Sequence, residues 1–231
     1  MANNPILHND PLGDTAKPGF QAARVNAAHS YLKTNAAKHS SGKGDDCITC
    51  HNKAMKILTN NPSLKTGSKA DLTRTKMQQQ GYAGATKTFG FNDANGKPAK
   101  AAPDAASLSQ SVGTAAVNGA KDIAYGESAA YGLSIMGGYH SMTLTVTKTG
   151  GPSETIPNTG IKTADFTSFT ITLSDQGSFR GTMGHGNLNI KSAEALDTYL
   201  TGYVQSQSSQ KTKDESFYPA TIQLHQIINN E

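Results

Sequence analysis

Two cysteines occur in the 231 residues, Cys47 and Cys50, and they stand three apart. A bridge between them could not staple distant parts of the chain, so their chemistry is local. Asp45 and Asp46 directly precede the run Cys-Ile-Thr-Cys-His-Asn-Lys-Ala-Met-Lys-Ile-Leu. Asp46 is a good N-cap, which places Cys47 in the first turn of a helix. There the helix dipole and the unpaired backbone N–H groups stabilise a thiolate, although the two aspartates oppose it. A thiol nucleophile needs a base to take its proton and a group that orients the base. His140 and Asp175 supply those roles in chain order, each at the end of a strand-like pattern.

The elements that must position these residues follow from periodicity. Phe20, Ala23, Ala27 and Tyr31 recur at helical steps, predicting a helix over 18–39. The helix that opens at Cys47 ends at Asn60-Asn61-Pro62, and a third is expected over 68–80. Residues 81–128 are rich in Gly, Ala, Ser and Lys, with turn signals at Asn95-Gly96 and Lys97-Pro98. They read as an extended arm or insertion with a short helical patch over 108–117. From about Tyr131 onward, apolar and polar residues alternate as in strands. In His140–Thr147 the positions His140, Met142, Leu144 and Val146 share one face, and in Phe169–Asp175 so do Phe169, Ile171, Leu173 and Asp175. An antiparallel pairing of Leu144 with Ile171 and Val146 with Phe169 sets His140 directly across from Asp175, while a slip of two residues keeps the same faces inward. A strand over 179–183, a helix over 192–203 with Leu196 and Leu200, and a strand over 221–228 complete a single α+β domain spanning 1–231.

Composition narrows the function classes. The hydrophobic share of 35% suffices for one domain. No stretch approaches the roughly 18 to 20 apolar residues of a membrane span. Residues 1–11 are polar, without an apolar export core, so the expectation is a chain that leaves the cell without a signal peptide. The net charge of +4 is spread thinly over lysines, there is no Trp, and no arginine cluster is present to grip phosphates, which argues against nucleic-acid binding. Charged residues make up 16%, below the roughly 25% usual for soluble domains. That lightly charged, polar surface suits a secreted bacterial protein.

Asp46-Cys47 at a helix start, then Gly-Tyr-His-Ser-Met-Thr-Leu on one strand and Leu-Ser-Asp-Gln on the next, resembles the papain-like cysteine amidohydrolases of bacteria, the NlpC-type and CHAP-type peptidoglycan hydrolases. The resemblance covers three short motifs and their order. It implies a papain-like fold in which the nucleophile helix packs on an antiparallel sheet, with cleavage of amide bonds in cell-wall stem peptides and no cofactor or metal. Cys47 matches the nucleophile, His140 the base and Asp175 the orienting group. The family often carries His, Asn or Gln at that third place, so the adjacent Gln176 is a rival. A chain of this kind is also similar to antibacterial effectors delivered by type VI secretion systems, which implies action in the periplasm of a target bacterium, a secretion-machine carrier and an immunity protein as partners.

Other chemistries share some of the same residues. Cys47-Ile-Thr-Cys50-His51 has the c-type haem attachment pattern, with Met55 or Met77 as a second axial ligand. Zinc on Cys47, Cys50, His51 and His185 would lack a second close ligand pair. Cys50 reads as a packing residue or as an oxidation partner for Cys47. A papain-like protease or deamidase acting on host proteins would keep the same triad. A non-enzymatic binding module is the alternative of another class.

Overall fold

The computed structural model describes residues 19–39, 44–64, 77–151, 166–175 and 186–230. These form a mixed α+β structure with an antiparallel sheet. No helix among the described residues is long and apolar enough to cross a membrane.

The first helix, α1 (Ala22–His39), has no internal Gly or Pro. The second, α2 (Cys47–Leu58), starts where Asp46 caps it: the two carboxylate oxygens of Asp46 accept from the Thr49 backbone N–H and hydroxyl, each at 2.8 Å. It ends before Asn60, whose φ of 50° a right-handed helix does not accommodate. The turn ahead of α2 is held by α1. Asn35 Oδ1 accepts from the Asp45 N–H at 2.9 Å, and the Tyr31 hydroxyl donates to the Asp45 carboxylate at 2.9 Å. Lys53 donates to the same carboxylate at 2.7 Å from one turn along α2. Cys47 is therefore fixed from both sides of the sequence.

The sheet runs in the order β3 (Pro98–Ala99), β2 (Ala83–Asn92), β9 (Thr221–Ile227), β5 (Ser128–Ile135), β6 (His140–Gly151), β7 (Phe166–Asp175), β8 (Gly186–Ile190). Two short strands join it, β1 (Gly19–Phe20) on β5 and β4 (Ser107–Leu108) on β2. Strands β5 and β6 are linked by a turn in which Met136, Gly137 and Gly138 all take positive φ, so the paired glycines there are a backbone requirement. One sheet face packs Leu133, Leu144, Val146 and Leu173 against α3 (Val112–Gly119) and α4 (Ala193–Ser206). The other face carries α1 and α2, with Phe20, Leu32, Met55 and Leu58 around Ala130 and Ile227.

Several expectations are corrected. The register of β6 on β7 is two residues from the one anticipated: Leu144 faces Leu173, Val146 faces Ile171, and Phe169 lies opposite Lys148. The stretch 81–128, expected as an extended arm or insertion, is built into the sheet. It supplies β2, β3, β4 and α3, and β2 pairs with β9 and buries Phe89 and Phe91. Ala85, Thr86, Lys87 and Thr88 of β2 are exposed and only its two phenylalanines are buried, so the stretch looks featureless in composition. The short helix α3 sits over 112–119, overlapping the anticipated patch. Of the helix expected over 68–80, residues 77–80 are described and 77–79 are helical, and the strand expected over 179–183 lies outside the described residues.

Candidate active site

Cys47 is the first residue of α2, His140 the first of β6 and Asp175 the last of β7. All three meet at one end of the sheet. The His140 Nε2–H donates to Asp175 Oδ1 at 2.9 Å, and the Cys47 thiol lies close enough to the ring to raise its pKa. Ladder pairing ends at Thr143 opposite Ser174, so His140 and Asp175 are a diagonal pair rather than directly opposed. Diagonal neighbours on one face of an antiparallel pair are within reach of long side chains, and the contact survives the two-residue difference in register.

The site is nearly closed. Cys47 is 8% exposed, His140 0% and Asp175 1%. Burial by itself pushes the His140 pKa down. The hydrogen bond to Asp175, with the nearness of Cys47 and the Asp175 charge, overcomes it and raises the value to about 9. His140 therefore holds its proton through the neutral range. The histidine is clasped from the opposite face by α4. The Tyr203 ring stacks on its imidazole with centroids 5.0 Å apart and planes within 13°, and the Tyr199 hydroxyl donates to Asp175 Oδ2 at 3.0 Å. Both tyrosines escaped the sequence reading, which took only Leu196 and Leu200 from this helix. Their signal was the i, i+4 spacing beside that apolar stripe.

Cys50 is fully buried in the layer between α1 and the sheet, and its thiol is engaged by Tyr31 and Asn35. Burial pushes it up to about 12, with the charges of Asp45 and Cys47 adding to the effect. It is a packing residue in this state, and both cysteines are free thiols. Gln176 and His185 lie outside the described residues.

His51 points into the sheet, away from Cys50. Its Nδ1 shares a hydrogen bond with the Thr143 hydroxyl at 2.8 Å, and its Nε2 edge lies against Gly132, where a Cβ would stand only 2.9 Å from Cε1 and Nε2. Burial, then the nearby His225, pushes the His51 pKa down to about 4. A haem tethered at Cys47 and Cys50 needs His51 Nε2 open to iron with a porphyrin beside it. The backbone at Gly132 fills that space, so these residues do not fit the group. Among the described residues no group of three or more His, Cys, Asp or Glu is placed to hold a metal ion.

Such an arrangement can perform nucleophilic acyl transfer: a thiol at a helix start, an imidazole that carries a proton beside it, and a carboxylate fixing the imidazole. Comparison with protein-family models, with curated proteins and with solved structures returned no match.

Proposed function

We propose that the chain is a cysteine-nucleophile amide hydrolase with a papain-like arrangement of Cys47, His140 and Asp175, acting on peptidoglycan stem peptides as a secreted antibacterial effector. The observation that carries the reading is that Cys47, His140 and Asp175 meet at one end of the sheet, closed off from water, with His140 Nε2 bonded to Asp175 Oδ1 and the ring close enough to Cys47 for the thiol to act on its titration. The substrate class comes from the resemblance of the three motifs to wall hydrolases.

The chemistry runs through the proton on His140. In the reacting form the Cys47 proton resides on His140, and the sulfur attacks the scissile carbonyl carbon. The carbonyl oxygen becomes an oxyanion, for which the Cys47 backbone N–H at the helix start is a donor. His140 then gives its proton to the leaving amine as the C–N bond breaks, and a thioester remains. Water loses a proton to His140 while its oxygen adds to the thioester carbonyl. Collapse breaks the C–S bond, releases the carboxylic product and restores the thiolate–imidazolium pair. Asp175 holds the ring orientation throughout.

Digestion of purified sacculi by wild type and by Cys47→Ala, with soluble products read by mass spectrometry, tests this. Stem-peptide fragments released by wild type alone support it and name the bond. If wild type releases none, the wall substrate is wrong; hydrolysis or deamidation of protein substrates that disappears in Cys47→Ala would then keep the cysteine chemistry and move the target to host proteins. No cysteine-dependent turnover on either class overturns the enzymatic reading and leaves a binding module.

A further inference from the structure

We propose that Tyr199 is a fourth member of the catalytic relay, a positioning residue that acts on His140 through Asp175; the proposal rests on the amide-hydrolase reading for its consequence in turnover. The geometry is a linear series. Tyr199 Oη donates to Asp175 Oδ2 at 3.0 Å, Asp175 Oδ1 accepts from His140 Nε2 at 2.9 Å, and the other side of the ring faces Cys47. Each carboxylate oxygen thus has its own donor. At 1% exposure Asp175 has almost no water to replace either one.

This splits the task of aiming the imidazole between two tyrosines one turn apart on α4. Tyr199 fixes the rotation of the carboxylate, and Tyr203, stacked flat on the imidazole, fixes the plane of the ring. The two phenol rings also stack, at 6.5 Å, so they brace one another. Burial, with the adjacent Asp175 charge, raises the Tyr199 pKa, so it remains a donor across the working range. The groups facing His140 are then Cys47 from α2, Asp175 from β7, and Tyr199 and Tyr203 from α4.

The direction of the effect follows. A donor on Asp175 stabilises the carboxylate most when the neighbouring imidazole is neutral, because the imidazolium already neutralises it. Removing the Tyr199 hydroxyl therefore favours the protonated ring and moves the His140 titration upward. Tyr199→Phe keeps the ring and its packing. Tyr131→Phe is the control: it deletes a buried hydroxyl that donates to the Ala116 carbonyl at 2.8 Å, away from the relay.

The test is an NMR titration of the His140 ring, assigned by its loss in His140→Gln, in wild type, Tyr199→Phe and Tyr131→Phe. It needs no substrate, so it decides the proposal whether or not the hydrolase reading stands. An upward shift of about half a pH unit or more in Tyr199→Phe, with none in Tyr131→Phe, is expected. No shift, a downward shift, or the same shift in both variants overturns the relay. Where amide turnover is measurable, Tyr199→Phe also lowers kcat about tenfold with KM unchanged, and the alkaline limb of its pH profile moves with the ring. A raised KM at unchanged kcat would instead place Tyr199 in substrate binding and overturn its positioning role.

Discussion

Cys47 and Cys50 differ in what surrounds the sulfur, and that difference sets which of them reacts. Cys47 faces an imidazole that keeps its proton to about pH 9, whereas Cys50 is buried with its thiol pushed up to about 12. Brief alkylation of the native protein at pH 7 is expected to label Cys47 alone, as read by peptide mass mapping. Equal labelling of Cys50 would show that the surroundings do not discriminate. Turnover should fall as pH rises through about 9, where His140 loses the proton the leaving amine needs; a rate that stays level to pH 10.5 would exclude His140 as the acid. Asp175→Asn is expected to lower kcat by about 10²- to 10⁴-fold without loss of the fold, because the ring orientation is no longer fixed. Circular dichroism and steady-state rates on the same sample check both halves of that statement. At this scale the sequence was informative where the chemistry is carried by residue type and local spacing. It was silent on Tyr199 and Tyr203, whose relevance comes from a helix packing on the far face of the sheet.

Elements were legible in proportion to how much of their pattern is local. The N-cap at Asp46 and the cap at Ser192, whose hydroxyl accepts from the Ala195 N–H, both stand where short-range spacing places them. Strand register is different. Alternation in β6 and β7 fixes which face each residue occupies but leaves shifts of two residues equivalent, and the true pairing is one such shift. Strand residues facing α1 and α2 are also hard to read, since they include Thr143, Thr145 and Ser141, which resemble a solvent face. They are buried, with His51 joined to Thr143 and His29 to Thr145 by hydrogen bonds. That polar interlayer carries a pH dependence. His51 titrates near 4 folded and 6.5 unfolded, so the unfolded chain binds more protons between those values and stability falls as pH drops through the window. The loss is on the order of 3 kcal/mol when complete. Urea midpoints at pH 7 and 4.5 should therefore converge in His51→Gln relative to wild type, and an unchanged gap would remove His51 from the account. Gly132→Ala forces the same ring aside and should cost about 1–3 kcal/mol at neutral pH, measured by the same midpoints.

On the scale of the molecule, the site draws on all three layers. One helical layer supplies Cys47, the sheet supplies His140 and Asp175, and the opposite layer supplies Tyr199 and Tyr203. The stretch 81–128 bears on this through β2, which pairs with β9 and so extends the sheet beside β5. Its role was invisible in composition because pairing with β9, more than 130 residues away in the chain, is what gives β2 its place. Each of the three residues of the proposed triad is also the terminal residue of its element, and terminal turns and strand ends open at lower free energy than element interiors. The chemistry is thus tied to the least protected parts of well-packed elements. Warming should silence the protein before it melts: catalytic rate is expected to collapse several degrees below the far-UV melting midpoint and to return fully on cooling from that interval. During refolding the order is expected to reverse, with secondary structure appearing first and the proposed turnover last, once the ends of the three elements have docked.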